Sequence, residues 1–243
     1  MKQSYDFNIN QIKNLSVEEK NSRQKNLNLF YKSGFPSKQV EDWKFTDLNL
    51  ILNKNFKSIS NEVNFESTKE LETIKDFEHN YIFLNNGKII STNFEYEEVN
   101  KILIKDFDQK KIISFDPANT LTLLNNALSF GGFSLEVTKN YKLKKPLIIY
   151  NYHSKDLENK ILNNKNSIKL NVGSELTLID YNDGHVQNNF IKNTVEVVSL
   201  DEKAVLKNIL VQESKSNGHF YKYIKGSLES GSNYENYILS SGL

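Results

Sequence analysis

Four histidines, His79, His153, His185 and His219, are the side chains in this sequence best suited to bind a metal or carry a proton near neutral pH. The last three recur at broadly regular spacing near expected strand ends, so a stacked β fold could bring them toward one face. None of them forms the i, i+4 pair of a helical zinc motif, and solvated loop residues are the simpler reading. Asp180 and Asp183, in "LIDYNDGH", offer a carboxylate pair for general acid and base work, as a carbohydrate-active β-helix enzyme would need. The same string lacks the glycine and terminal glutamate offsets of a calcium loop, so a polar turn explains it more simply. Tyr221, Tyr223, Tyr234 and Tyr237 alternate along late strands and could stack sugars or bases, although cross-strand packing accounts for them without a ligand.

Several chemistries are excluded at once. Cysteine is absent, which removes thiolate nucleophiles, disulfides and cysteine ligation of zinc or iron. No G-x-S-x-G elbow, P-loop or dinucleotide fingerprint appears, so the residues point to no catalytic, cofactor-binding or metal-binding set. The 31 basic and 30 acidic side chains nearly cancel, leaving no net field to attract nucleic acid or an anionic membrane. The first twenty residues carry no apolar signal region, and no later run is apolar for the roughly 20 residues a spanning helix needs. The expectation is a soluble cytoplasmic protein. The abundance of asparagine reads as compositional drift.

The elements that must position these residues fall into two parts, a helical region over residues 1–78 and a β-rich region over 79–243. Ser16 and Glu19 fit a capping box at the head of "SVEEKNSRQKNLNLFYKSG", with Leu27, Phe30 and Tyr31 as the apolar stripe, Gly34 as the terminator and Pro36 forbidding continuation. A second helix is predicted in "ESTKELETIKDF". A third is predicted in "DPANTLTLLNNALSFGG", capped by Asp116 with Pro117 at its first position, as a bridge between two β regions. From Phe133 onward the chain is strand-like, with turns at Gly173–Ser174, Asp201–Lys203 and Gly231–Ser232 that recur at about 29 residues. "KNYKLKKPLIIYNY" is a candidate earlier repeat, followed by a longer loop "HSKDLENKILNNKN". On pattern alone, a meander of antiparallel hairpins is favoured over stacked coils, since solenoid repeats usually show stronger side-chain periodicity.

One stretch decides between them by resemblance. "GFPSKQVEDWKFTDL" resembles the N-terminal signature of the SufD branch of the SufB/SufD family, through Gly34, Pro36, Glu41, Asp42, Trp43, Lys44, Phe45 and Thr46. The segments "SELTLIDYNDG" and "NTVEVVSLDEKAVLKNILVQES" look like the family's successive coils. The resemblance implies a mainly β protein with an α-helical N-terminal region and a right-handed parallel β-helix core. It further implies a non-catalytic scaffold role in iron-sulfur cluster assembly, with SufB as heterodimer partner, SufC as the associated ATPase, and the cluster as a transient passenger of the complex. Family members run well past this length, so the chain is expected to be C-terminally truncated, without the last coils and the helical domain that docks SufC, and to aggregate or require a partner when made alone. Trp43 is expected to anchor the helical region against the β body, its indole N–H meeting a polar partner.

Overall fold

The computed structural model describes residues 4–63, 72–108, 119–182, 188–212 and 217–240. Strands β1 (Ser4–Asp6) and β2 (Ser58–Ser60) bracket helices α1 (Val17–Ser33) and α2 (Leu48–Asn55). Strands β3 (Asn80–Asn85) and β4 (Lys88–Asn93) form an antiparallel hairpin, and β5 (Ile102–Asp106) pairs antiparallel with β6 (Phe133–Val137) across α3 (Thr120–Leu128). After β7 (Leu147–Tyr152) come three strand pairs: β8 (Lys160–Leu170) with β9 (Glu175–Asn182), β10 (Phe190–Leu200) with β11 (Val205–Gln212), and β12 (Gly218–Leu228) with β13 (Asn233–Ser240).

These pairs are coils, not hairpins. β8, β10 and β12 stack in parallel in one sheet, while β7, β9, β11 and β13 stack in parallel in the other. Lys160, Phe190 and Gly218 stand in register 30 and 28 residues apart, and Glu175, Val205 and Asn233 repeat the same steps. The meander is therefore overturned and the parallel β-solenoid holds. Each coil turns at an equivalent place, where Gly173, Lys203 and Gly231 take φ of 67°, 58° and 69°. The turns hydrogen-bond to one another, Gly173 N–H to the Glu202 carbonyl and Lys203 N–H to the Ser230 carbonyl.

Helix α1 begins and ends as its sequence dictates: Ser16 and Glu19 form a reciprocal capping box, and Gly34 terminates it at φ 71°. Arg23, Leu27 and Phe30, at i, i+4 and i+7, are its buried stripe, whereas Tyr31 is exposed. The predicted helix at 66–77 is not formed over 72–77, and its first half lies outside the described residues. The helix that the sequence reading missed is α2, where Asp47 caps by accepting from Leu50 N–H. For α3 the observed cap is Asn119, accepting from Thr122 N–H, while Asp116 and Pro117 lie outside the described residues. α3 packs between α1 and the outer face of β8 and β10, sharing a core of Phe30, Leu52, Leu124, Leu128, Ile161 and Ile191. The stretch expected to be a long loop after Tyr152 is loop only to Asn159, because β8 starts at Lys160.

Candidate functional site in the solenoid lumen

Side chains alternate across a strand, so one parity of each coil strand faces the lumen. On β10, Val198 and Leu200 join Leu176, Leu178, Leu170 and Leu206 in an apolar lumen core. The same parity carries Lys192, Thr194 and Glu196, all buried. From the facing sheet come Asn151 on β7, and Asp180 and Asn182 on β9, and from the last coil comes Lys222 on β12. The lumen is thus divided along its strands into an oily half and a charged half.

The charges are matched in number and linked. Lys222 Nζ stands 2.9 Å from Asp180 Oδ2 and 3.0 Å from Glu196 Oε1, the latter held by charge and off the hydrogen-bond direction. Asn151 Nδ2 donates to Asp180 Oδ1 at 2.6 Å, and Asn166 Nδ2 to Glu196 Oε2 at 3.5 Å. Lys192 Nζ donates to Asn151 Oδ1 at 2.7 Å and Asn182 Oδ1 at 2.8 Å. Burial opposes ionisation of Asp180, yet Lys222 and Lys192 outweigh it and hold the carboxyl below its ordinary range. Burial likewise opposes the Lys222 charge, and Asp180 with Glu196 more than compensates, so its pKa rises. For Lys192 burial wins, and its pKa falls to about 8.

This arrangement corrects the reading of Asp180 as part of a polar turn. It sits in β9 with both oxygens engaged, so it has no free oxygen for general acid and base work; Asp183 lies outside the described residues. The three described histidines are not solvated loop residues either. His153 is buried against Phe190 and Phe220 at 5.0 and 5.6 Å between ring centres. His79 is buried and hydrogen-bonded through Nε2 to the Tyr150 hydroxyl at 2.8 Å. His219 packs on Phe56, where burial lowers its pKa, and His185 lies outside the described residues. Among the described residues, no three acidic or histidine side chains cluster as a metal site would require. The late tyrosines form no single platform, since Tyr221 turns to the helical layer, Tyr234 to the lumen core, and Tyr237 is exposed.

The signature residues form a separate cluster at the joint between helices and solenoid. Gly34 ends α1, and Pro36 is buried. Glu41, Asp42 and Trp43 make one turn of 3-10 helix, in which Lys44 pairs with Glu41. The half-buried Trp43 stacks on Tyr221 of β12 at 5.7 Å, which ties the N-terminal layer to the last coil. Its indole N–H makes no hydrogen bond among the described residues, contrary to expectation. Phe45 is 90 % exposed and Thr46 is exposed.

A further buried lysine lies outside the lumen. Lys165, of the opposite parity on β8, stands beside Arg23, whose Nη1 donates to the Ala127 and Ser129 carbonyls at 3.0 and 2.8 Å. Burial, aided by the Arg23 charge, lowers its pKa to about 7.

Sequence reasoning missed Lys192, Glu196, Lys222, Asn151 and Asn182. A signal existed: "FIKNTVEVVSL" places Lys, Thr and Glu on the same parity as Val198 and Leu200. The asparagines are structural as well as compositional. Asn151, Asn182 and Gln212 stand in register on successive coils, as do Asn163 with Asn193 and Asn208 with Asn236, the last two pairs hydrogen-bonded side chain to side chain.

Fold and joint together define a class: parallel β-solenoid proteins carrying a helical N-terminal layer on one flank. Residues 2–149 match the family model described as the SufBD protein N-terminal region. The match covers more than half of the chain, which belongs to the SufB/SufD family and through it has a role in iron-sulfur cluster assembly. No curated protein matches the sequence. Among the described residues, no helix is long and apolar enough to cross a membrane.

Proposed function

We propose that this chain acts as a SufD-like, non-catalytic scaffold subunit of a cytoplasmic SufB-SufC-SufD assembly, with the iron-sulfur cluster as transient cargo and no resident cofactor or metal. The observation that carries the reading is the family match over residues 2–149, which contains the Gly34 to Thr46 signature. The engagement of Asp180 by Lys222 and Asn151 supports a structural role for this member of the carboxylate pair that a hydrolytic reading would need. Co-expression of the tagged chain with SufB and SufC tests the proposal. SufB is expected to co-purify, and the assembly to reconstitute a cluster on an apo-protein faster than SufB and SufC alone. Retention of neither partner, with no change in cluster formation, would overturn it. Turnover of a polysaccharide by the isolated chain, lost in Asp180→Asn, would replace it with the enzyme reading.

A further inference from the structure

The charged half of the lumen encloses a cavity of about 280 Å³, its mouth included, with Leu210 and Phe220 as apolar walls. Its polar lining comes from Asp180, Asn182, Lys192, Thr194, Gln212 and Lys222. What this lining can still bind follows from what is already used. Both oxygens of Asp180, the carboxylate in that lining, accept hydrogen bonds from Lys222 and Asn151, and Glu196, outside the lining, is paired in charge with Lys222, so neither offers a free site to a cation. A lysine has three N–H donors. Lys192 gives two of them to the amide oxygens of Asn151 and Asn182, has no carboxylate within ion-pair distance among the described residues, and places its ammonium 6.0 Å over the Phe220 ring. Its third donor has no acceptor among the described residues. The Thr194 hydroxyl and the Gln212 amide make no hydrogen bond there either, and each can donate.

Among the described residues the unused capacity is therefore donor capacity, centred on a buried cation whose direct partners are neutral amides. Such a group is stabilised by an acceptor bearing negative charge. Most of that volume is the open mouth, and the space inside it has room for little more than one water-sized group, so the occupant is small. We propose that this cavity is a binding site for a small monovalent oxyanion of the carboxylate class, seated on Lys192 Nζ with the Thr194 hydroxyl and Gln212 amide completing its shell. Burial keeps the Lys192 pKa at about 8, so the site holds its anion below that pH and loses it above, as the lysine gives up its proton. The charged groups facing Lys192 are Asp180 from β9, Glu196 on its own strand, and Lys222 from β12.

Isothermal titration of the whole chain with sodium formate, sodium acetate and sodium nitrate, against sodium chloride at matched ionic strength, tests the site. Formate is expected to bind saturably and raise the melting temperature, with affinity falling about tenfold per pH unit above about pH 8. A stronger response to nitrate than to formate would overturn the carboxylate assignment. Lys192→Met is expected to abolish binding. Since that change also breaks a buried network, Thr194→Val and Gln212→Leu carry the decision: each leaves the ion quartet intact and is expected to weaken formate roughly three- to tenfold. Equal responses to all four salts, an unchanged affinity in both of these variants, or affinity that grows with pH would each overturn the proposal.

Discussion

Buried lysines make stability depend on pH at the scale of single residues, and Lys165 is the sharpest case. In the unfolded chain it holds its proton up to the ordinary lysine range of 10.5, whereas in the folded protein it releases it near 7. The folded state binds fewer protons across that window, so stability rises with pH from about 7 toward 10.5 and is flat in this residue below 7. Lys165→Met is expected to raise stability near pH 7 and to remove up to about 1.4 kcal/mol per pH unit from the alkaline slope, measured by urea unfolding at a series of pH values. Lys192 contributes a slope of the same sign from about 8, so the variant retains part of the dependence. The Trp43–Tyr221 stack is the second residue-scale feature. Since Trp43 is only half-buried, Trp43→Ala is expected to cost about 2 kcal/mol, less than the 3–5 of a fully buried aromatic. A double-mutant cycle with Tyr221→Ala should return a coupling of about 0.5–1.5 kcal/mol.

The element scale is set by turns and close approaches. Lys203 occupies in its coil the left-handed position that Gly173 and Gly231 hold in the neighbouring ones, at a cost of about 1 kcal/mol for a residue with a Cβ. Lys203→Gly is expected to recover roughly 0.5–1 kcal/mol, read as a rise in melting temperature; a fall would show that its side chain contributes more than the strain removes. Gly132 is the opposite case. It has φ 119°, and a Cβ there would lie 1.7 Å from the Lys165 carbonyl oxygen, where the chain leaving α3 passes against β8. Gly132→Ala is expected to destabilise by more than 3 kcal/mol, because the backbone of two elements must move together. Helix α1 was legible from its capping box and terminator. The short α2 was not, since a single Asp cap before eight residues is a weak signal beside the conspicuous aromatic cluster that precedes it.

On the scale of the whole molecule, the helical layer and the solenoid share one core, in which Leu27, Leu52 and Leu124 meet Ile161 and Ile191. Trp43, the chain's single tryptophan, reports on that joint. Thermal unfolding followed by tryptophan fluorescence and by far-ultraviolet circular dichroism is expected to give coincident midpoints; fluorescence melting first would show that the layer detaches from the coils. Local spacing determined much of this protein. The capping box, the turn of each coil and the stretch from Gly34 to Thr46 are contiguous patterns, and each is readable because its cause lies within a few residues of itself. What only the tertiary structure decided is the pairing of residues far apart in the chain. Parallel stacking brings Lys222 to Asp180 and Glu196, 42 and 26 residues away, and turns asparagines that looked like drift into ladders. A strand's alternation tells which residues share a face, but not which face is the lumen or what meets it there. That depends on which coil stacks on which, a matter of long-range register that no local pattern encodes.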